Sequence, residues 1–169
     1  MGDVFNEQIV KRNPRIVDHI KRAALIAAVF TVFYLALLVA GGLAFFIAAA
    51  AGCLAFYLMS FLNVEYEYIY TNGELDIDII YNRARRKRLL SVSVKDFEVM
   101  AHVDDKERQG SFGGAQETLF CHSGETGPNT YAFLTIIKGK KTQVVFEPNE
   151  KLLKAIGTSL SRQKLYIKR

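Results

Sequence analysis

An apolar block without a charged side chain spans residues 23–62 and limits what the rest of the chain can be. No Asp, Glu, Lys or Arg occurs between Arg22 and Glu65, a stretch of about forty residues. One α-helical crossing of a bilayer needs roughly twenty apolar residues at 1.5 Å rise each. The block is therefore twice as long as one crossing, and Gly41-Gly42 near its middle marks a turn. The sequence predicts a two-span transmembrane hairpin over residues 23–62.

The apolar block has three other possible interpretations. A secretory signal peptide carries an apolar stretch of roughly 7–15 residues after a short basic start, which is much shorter than this block. The core helix of a soluble protein is also too short to account for it. A single tilted span followed by an interfacial segment is the remaining alternative to the hairpin.

Basic residues flank the block on both sides. The N-terminal set is Lys11, Arg12, Arg15, Lys21 and Arg22, and the C-terminal set is Arg83, Arg85, Arg86, Lys87 and Arg88. Because basic residues near membrane ends stay in the cytoplasm, and two spans return the chain to its starting side, both sets give the same orientation. We expect a multi-pass protein of the plasma (cell) membrane with both termini in the cytoplasm. Residues 1–22 then form a cytoplasmic basic segment and residues 63–169 a cytoplasmic domain.

Composition excludes several classes of function. The apolar block has no ionisable side chain to form an ion path or proton relay, which argues against a transporter or channel. The net charge of +5 is modest and local, and no nucleic-acid-binding motif is present. Cys53 and Cys121 define no disulfide framework. No cofactor, metal site or small-molecule substrate is predicted.

The segment 64–81 predicts a β-hairpin around Asn72-Gly73, the residue pair that favours a type I′ turn. This turn sets the register, and the register places apolar side chains together on one face of the hairpin. The facing pairs are Tyr70 and Leu75, Tyr68 and Ile77, Tyr66 and Ile79, and Val64 and Tyr81.

The other face of this hairpin is acidic. It carries Glu65, Glu67, Glu74, Asp76 and Asp78, and the register places Glu67 opposite Asp78. Like charges directly opposite each other are unfavourable unless something neutralises them. The basic run of residues 83–88 would neutralise this face if its strand lay alongside, or it would contact anionic headgroups at about 1 kcal/mol per residue. Both interpretations remain open at this stage.

The rest of the domain alternates short strands and loops. Strands are predicted at 89–94, 97–103 and 118–121, and a second hairpin joins 131–137 to 142–146. The long segment 104–130 is rich in glycine and predicts loops around its short strand. Pro148 is expected to open a C-terminal helix near 148–162. The predicted fold is a membrane α-helical hairpin plus a mostly antiparallel β sandwich or barrel, closed by a C-terminal α-helix.

This layout resembles a bacterial pleckstrin-homology-like (PH-like) domain. The hairpin from Val64 to Ile77, the Arg-rich turn and Leu89–Val92 resemble the opening of such domains, and Val144–Leu153 resembles the final strand and helix start. The resemblance covers roughly residues 20–162 and implies a domain that commonly follows a pair of membrane spans. The glycine-rich insertion after His102 departs from the simplest pattern and leaves the middle strand order open.

No catalytic constellation is apparent in the sequence. Cys121 and His122 are adjacent, but neighbours on a strand point to opposite faces. We expect a non-catalytic module that contacts anionic lipid or docks a protein through the basic run, Arg83, Arg85, Arg86, Lys87 and Arg88. One alternative is a membrane-anchored oligomerisation or scaffold subunit. A weaker one is a membrane-bound enzyme that uses Cys121 or the acidic cluster.

Overall fold

The computed structural model of the protein describes residues 4–105, 109–160 and 165–166. Within these residues the chain divides into two compact units. The helical unit comprises Pro14–Val64 and Tyr81–Arg85, and the β unit takes in the described residues of the remainder. The predicted helix end near residue 162 lies outside the described residues.

The helical unit contains two helices in sequence, α1 (Ile16–Ala40) and α2 (Ala44–Ser60), joined by a 3-10 turn at Gly41–Leu43. Gly41 ends α1 with a positive φ of 53°, a conformation that glycine adopts without strain. The rings of Phe33 in α1 and Phe45 in α2 lie 5.5 Å apart, so the two helices contact each other near this turn. By length and composition, the helical segment Ile16–Ser60 could span a membrane.

A four-stranded sheet contains β1 (Phe5–Lys11), β2 (Val64–Thr71), β3 (Glu74–Tyr81) and β4 (Arg85–Ser93), in the order β1-β2-β3-β4. Asn72 and Gly73 both have positive φ, 50° and 98°, which confirms the predicted turn between β2 and β3. The apolar face predicted for this hairpin is buried, since the side chains of Tyr68 and Leu75 are both 0 % exposed.

A five-stranded sheet contains β5 (Val99–His102), β6 (Glu117–Cys121), β7 (Tyr131–Ile137), β8 (Lys140–Phe146) and β9 (Leu165–Tyr166). The strand order is β6-β8-β7-β5-β9, with parallel pairing of β6 to β8 and of β5 to β9 and antiparallel pairing elsewhere. The hairpin β7–β8 confirms the second predicted hairpin. The two sheets form an open arrangement and, over the described residues, do not close into the barrel that the sequence left as an alternative.

The C-terminal helix α3 covers Glu150–Ser159. It starts two residues later than predicted, because Asn149 acts as the N-cap: its Oδ1 accepts a hydrogen bond from the N–H of Leu152 at 2.8 Å. Pro148 therefore precedes the helix and does not form its first turn. Leu152 and Ile156 are buried against the β unit, as their helical spacing predicts.

Two buried tyrosines of β2 join the layers of the β unit. The hydroxyl of Tyr68 donates a hydrogen bond to the carbonyl of Cys121 and accepts one from the N–H of Glu147 at 3.2 Å. The hydroxyl of Tyr70 lies 3.1 Å from the carbonyl of Ala155 in α3. These bonds connect the four-stranded sheet to the five-stranded sheet and to the helix.

Strand β1 was not predicted from the sequence. It pairs antiparallel with β2, from Phe5 opposite Thr71 to Lys11 opposite Glu65. The side chain of Gln8 donates to the carbonyl of Glu147 at 2.8 Å and accepts from the N–H of Asn149 at 2.7 Å. The N-terminal segment is therefore part of the sheet, and the helical segment lies between β1 and β2 along the chain.

Replacing Tyr68 by Phe should destabilise the protein by about 2 kcal/mol, because a buried carbonyl and a buried N–H lose their shared partner. Tyr131→Phe is the matched control: Tyr131 is also buried, and its hydroxyl makes no hydrogen bond to the described residues. The measurement is the thermal unfolding midpoint of both full-length variants in detergent. Equal shifts in the two variants would contradict the role given to the Tyr68 hydroxyl.

Candidate functional site

Five charged residues form a carboxylate–arginine ladder across β2, β3 and β4, namely Glu67, Asp76, Asp78, Arg86 and Arg88. An Nη atom of Arg86 lies 2.7 Å from the carboxylate of Glu67. Arg88 lies 2.7 Å from the carboxylate of Asp76 and also hydrogen-bonds that of Asp78. Glu67 is fully buried and Asp78 nearly so. Two of the five residues of the basic run therefore balance the acidic face of their own sheet.

The carboxyl group of Glu67 is only partly compensated. Burial raises its pKa, the nearby Arg86 opposes this, and the Glu7 carboxyl on β1 raises the pKa further. One oxygen of Glu67, Oε2, is buried without a hydrogen-bond partner among the residues that the structure describes. For Arg88, the hydrogen bond to Asp78 raises the pKa of the guanidinium. The Glu7–Glu67 pair and the Asp76–Asp78 pair thus have one arginine each, Arg86 and Arg88.

The turn Tyr81–Arg85 between β3 and β4 belongs to the helical unit. Its centre is formed by Asn82 and Arg83, with positive φ values of 49° and 57°. The N–H of Ala84 donates to the carbonyl of Tyr81 at 3.0 Å, and the N–H of Asn82 donates to the carbonyl of Asn63 at 2.8 Å. A left-handed backbone conformation costs a residue that has a Cβ about 1–2 kcal/mol. Asn adopts this conformation more readily than Arg does. Arg83 is therefore held on an exposed, strained turn.

Aromatic rings and further cations surround this turn. The guanidinium of Arg85 lies 5.6 Å from the ring centres of both Tyr57 and Phe61 at the end of α2. Arg22 at the start of α1 donates a hydrogen bond of 2.8 Å to the side chain of Asn63. We call the following set the helix-base collar: Lys21, Arg22, Tyr57, Phe61, Tyr81, Arg83 and Arg85.

A cleft of about 380 Å³ opens beside the collar. It is lined by Lys21, Ala24 and Leu25 of α1 and by Leu62 after α2. Three of these four lining residues are apolar, and Lys21 is the ionisable one among them.

The other predicted contact residues are distributed over both units. Lys87 is exposed and makes no ion pair with any described residue. Lys11 and Arg12 belong to the β unit, where Lys11 ends β1 opposite Glu65. Arg15 begins α1, and its N–H donates to the carboxylate of Asp18 at 2.9 Å. The five N-terminal basic residues therefore do not form a single cluster.

Sequence reasoning missed three residues of these sites. Glu7 lies on the unpredicted strand β1, and Asn63 and Asn82 anchor the turn through hydrogen bonds. The sequence of Phe5–Lys11 has no regular alternation of apolar and polar residues, so no signal in it would have identified β1. The two asparagines carry no distinctive spacing.

Cys121, His102 and His122 are all buried. Cys121 is 1 % exposed, and burial raises the pKa of its thiol to about 12, so it is protonated at neutral pH. His102 uses both ring nitrogens: Nε2 lies 3.0 Å from the carbonyl of Pro128, and Nδ1 accepts from the N–H of Asp104 at 3.2 Å. His122 accepts from the N–H of Gly124 at 3.1 Å. No cluster of metal-ligating side chains is found within the described ranges.

Replacing Glu67 by Gln should flatten the dependence of stability on pH. A carboxyl group with a raised pKa in the folded state stabilises the fold below its unfolded pKa, and this stability is lost as pH rises through the folded pKa. Glu67→Gln removes that loss, so we expect the variant to be more stable than the wild type at pH 8 and about equally stable at pH 4.

The measurement is the thermal unfolding midpoint of full-length protein in detergent from pH 4 to pH 8. Glu74→Gln, an exposed carboxylate on β3, is the control and should follow the wild type. A Glu67→Gln variant that is less stable than the wild type at pH 8 would show that Arg86 outweighs burial and Glu7.

Comparison with known proteins places this fold in a family. The sequence model of the family described as Bacterial PH-like domain (DUF6106) matches residues 2–166. No curated protein and no solved structure matches the chain. The matched range includes β1, the helical segment and both sheets, which confirms the resemblance to PH-like domains inferred from the sequence. The chain belongs to the bacterial PH-like domain family DUF6106.

Proposed function

We propose that the protein is a PH-like module anchored in the plasma membrane by a two-span helical hairpin, with the helix-base collar in contact with anionic lipid headgroups on the cytoplasmic side. The observation that carries the proposal is a cationic and aromatic collar at the base of an exposed apolar helix pair. Each part of the proposal has its own support.

The first support is the exposure of the helical segment. Its most apolar 18-residue window has a mean hydropathy of 2.6, and only 6 % of that window is buried within the protein. A core helix would be buried, whereas here Phe30, Phe46 and Val39 are 68 %, 76 % and 90 % exposed. Monomeric soluble proteins rarely expose contiguous apolar surface on this scale, and a bilayer would cover it.

The second support is the division of the segment into two helices of suitable length. At 1.5 Å per residue, α1 is about 37 Å long and α2 about 25 Å long. The hydrocarbon layer of a bilayer is roughly 30 Å thick, so one helix is somewhat longer than this layer and the other somewhat shorter. Phe33 and Phe45 meet near the turn, and Arg22 reaches Asn63 at the opposite ends of the helices. An antiparallel pair of this kind favours two crossings, with both flanks on one side.

The third support is the chemistry of the collar. Trp and Tyr are enriched at the interfaces between membrane and water, and Tyr57 and Tyr81 belong to the collar. Arg83 and Arg85 occupy a turn in the same compact unit as the helices. We assign headgroup contact to these arginines together with Lys21 and Arg22. Arg86 and Arg88 are excluded from this assignment because carboxylates already hold them.

One observation also favours the alternative role of an oligomerisation subunit. Strand β1 lies at the edge of the four-stranded sheet, with apolar side chains exposed. Self-association through this edge is compatible with lipid contact at the collar, since the two use different residues.

The two-span topology predicts a labelling pattern for single cysteines in a Cys53→Ser background, where the buried Cys121 thiol stays unreactive. A membrane-impermeant maleimide should label Val4→Cys and Lys151→Cys from the cytoplasmic side and Gly42→Cys from the opposite side. The measurement compares right-side-out with inverted membrane vesicles. Labelling of Val4→Cys and Lys151→Cys from opposite sides would contradict the two-span anchor.

Lipid contact predicts that Arg83→Gln/Arg85→Gln weakens the binding of anionic lipid about 30-fold, since each cation near the headgroups contributes about 1 kcal/mol. The probe is short-chain phosphatidylglycerol, titrated into the detergent-solubilised full-length protein, with short-chain phosphatidylcholine as the neutral comparison. Lys151→Gln/Lys154→Gln on α3 removes the same charge from an exposed helix face and should change little. Equal affinity for the two lipids would overturn the assignment.

A further inference from the structure

The outer edge of β1 offers unused hydrogen-bonding groups. Thr71 and Glu74 flank the two-residue turn, so their backbone groups point at each other across the β2–β3 hairpin. Backbone groups alternate in direction along a strand, and those of Tyr70 therefore point toward β1. The N–H of Asn72, which donates to the carbonyl of Val4 at 3.1 Å, has the direction that this alternation requires.

The same alternation determines which groups of β1 face outward. Asn6, Gln8 and Val10 lie opposite Tyr70, Tyr68 and Tyr66 and direct their backbone groups toward β2. The N–H and C=O groups of the intervening residues point away from the sheet, and they make no hydrogen bond within the described part of the chain. These residues are Phe5, Glu7, Ile9 and Lys11.

The side chains of these four residues also lie on one face of the sheet. Phe5 and Ile9 are 60 % and 53 % exposed, and Glu7 and Lys11 are exposed beside them. Natural edge strands are usually protected by charges, prolines or bulges. Here the middle of the strand carries an exposed isoleucine between one acidic and one basic residue.

We propose that β1 pairs antiparallel with β1 of a second copy, with Ile9 opposite Ile9 and Glu7 opposite Lys11 on both sides of a twofold axis. The pairing joins two four-stranded sheets into one sheet of eight strands. The three facing residue pairs supply about six N–H···O=C hydrogen bonds from groups that now point to solvent. This inference does not depend on lipid contact by the helix-base collar.

Charge selects this register among those that the backbone permits. A shift of two residues in one direction sets Glu7 opposite Ile9, and a shift of four sets Glu7 opposite Glu7, which is repulsive. The proposed register also brings Lys11 of the second copy next to Glu7, whose carboxyl group raises the pKa of Glu67. The dimer therefore adds a second cation, after Arg86, near the Glu7 and Glu67 carboxylates.

The other described edges are less suitable for self-pairing. Strand β4 carries four consecutive cations, Arg85, Arg86, Lys87 and Arg88, and has no acidic residue to face them in a second copy. Strand β6 has one charged residue, Glu117, and therefore no complementary register. Strand β9 spans two residues.

A cysteine scan of the full-length protein in membranes, again in the Cys53→Ser background, tests the pairing and its register. Oxidation should give a disulfide-linked dimer with Ile9→Cys, because facing Cα atoms in a hydrogen-bonded pair lie about 5.5 Å apart. Phe5→Cys is equally exposed on the same face but should not cross-link, since its two copies would lie roughly 27 Å apart. Cross-linking at Phe5, or at neither position, would overturn the proposal.

Charge reversal provides a second, independent test. Glu7→Lys and Lys11→Glu should each weaken dimerisation at least about tenfold, and the double variant should restore it. The measurement is the dimer fraction of detergent-solubilised full-length protein over a dilution series. Ile9→Pro should give a folded monomer, because the N–H that it removes faces outward. A dimer that survives all of these changes would show that the contact between copies lies elsewhere and not at β1. A wild-type protein that is monomeric at every concentration would refute the proposed dimer.

Discussion

The buried carboxylates Glu67 and Asp78 impose the constraint on which the other features depend. Removing an ionised carboxylate from water costs several kcal/mol, even after a protein relaxes around it. Here β4 places Arg86 and Arg88 alongside, and their ion pairs offset much of that cost. The pairing accounts for the start of β4 within the basic run, where the sequence indicates a turn. The basic run therefore has two parts. Arg86 and Arg88 form ion pairs with the carboxylates of the sheet, whereas Arg83 and Arg85 lie in the turn of the helical unit.

The parts of the fold that the sequence predicts are those with local signals. The Asn72-Gly73 turn is such a case, because two adjacent residues determine both its type and the register of the strands beside it. The apolar block is another, since the absence of charge over residues 23–62 is visible directly. Strand β1 gives no comparable signal: its seven residues are mixed in character, and its partner β2 follows the whole helical segment. The parallel pairing of β6 with β8 is equally non-local.

The sequence predicts which charged residues belong to the candidate sites, but it does not predict which of them pair with each other. The sequence shows that acidic and basic residues are close along the chain, so both charge balance and lipid contact were reasonable for every member of the run. Choosing between them needs the pairing of β4 with β3, which depends on the left-handed turn at Asn82-Arg83. No rule of composition predicts that an arginine will occupy such a position. The position of Arg85 over two rings of α2 likewise depends on tertiary structure.

The order of the strands along the chain has a consequence for synthesis on the ribosome. Strand β1 emerges first, yet the strand that completes its ladder is separated from it by both helices. Between Val10 and its facing residue Tyr66, more than fifty residues must be added. At 5–20 residues per second this takes roughly 3–11 s. For that interval β1 has no strand partner for its three apolar residues, Phe5, Ile9 and Val10. Pairing of β1 with β2 therefore follows the synthesis of both helices, and the four-stranded sheet cannot be completed before that.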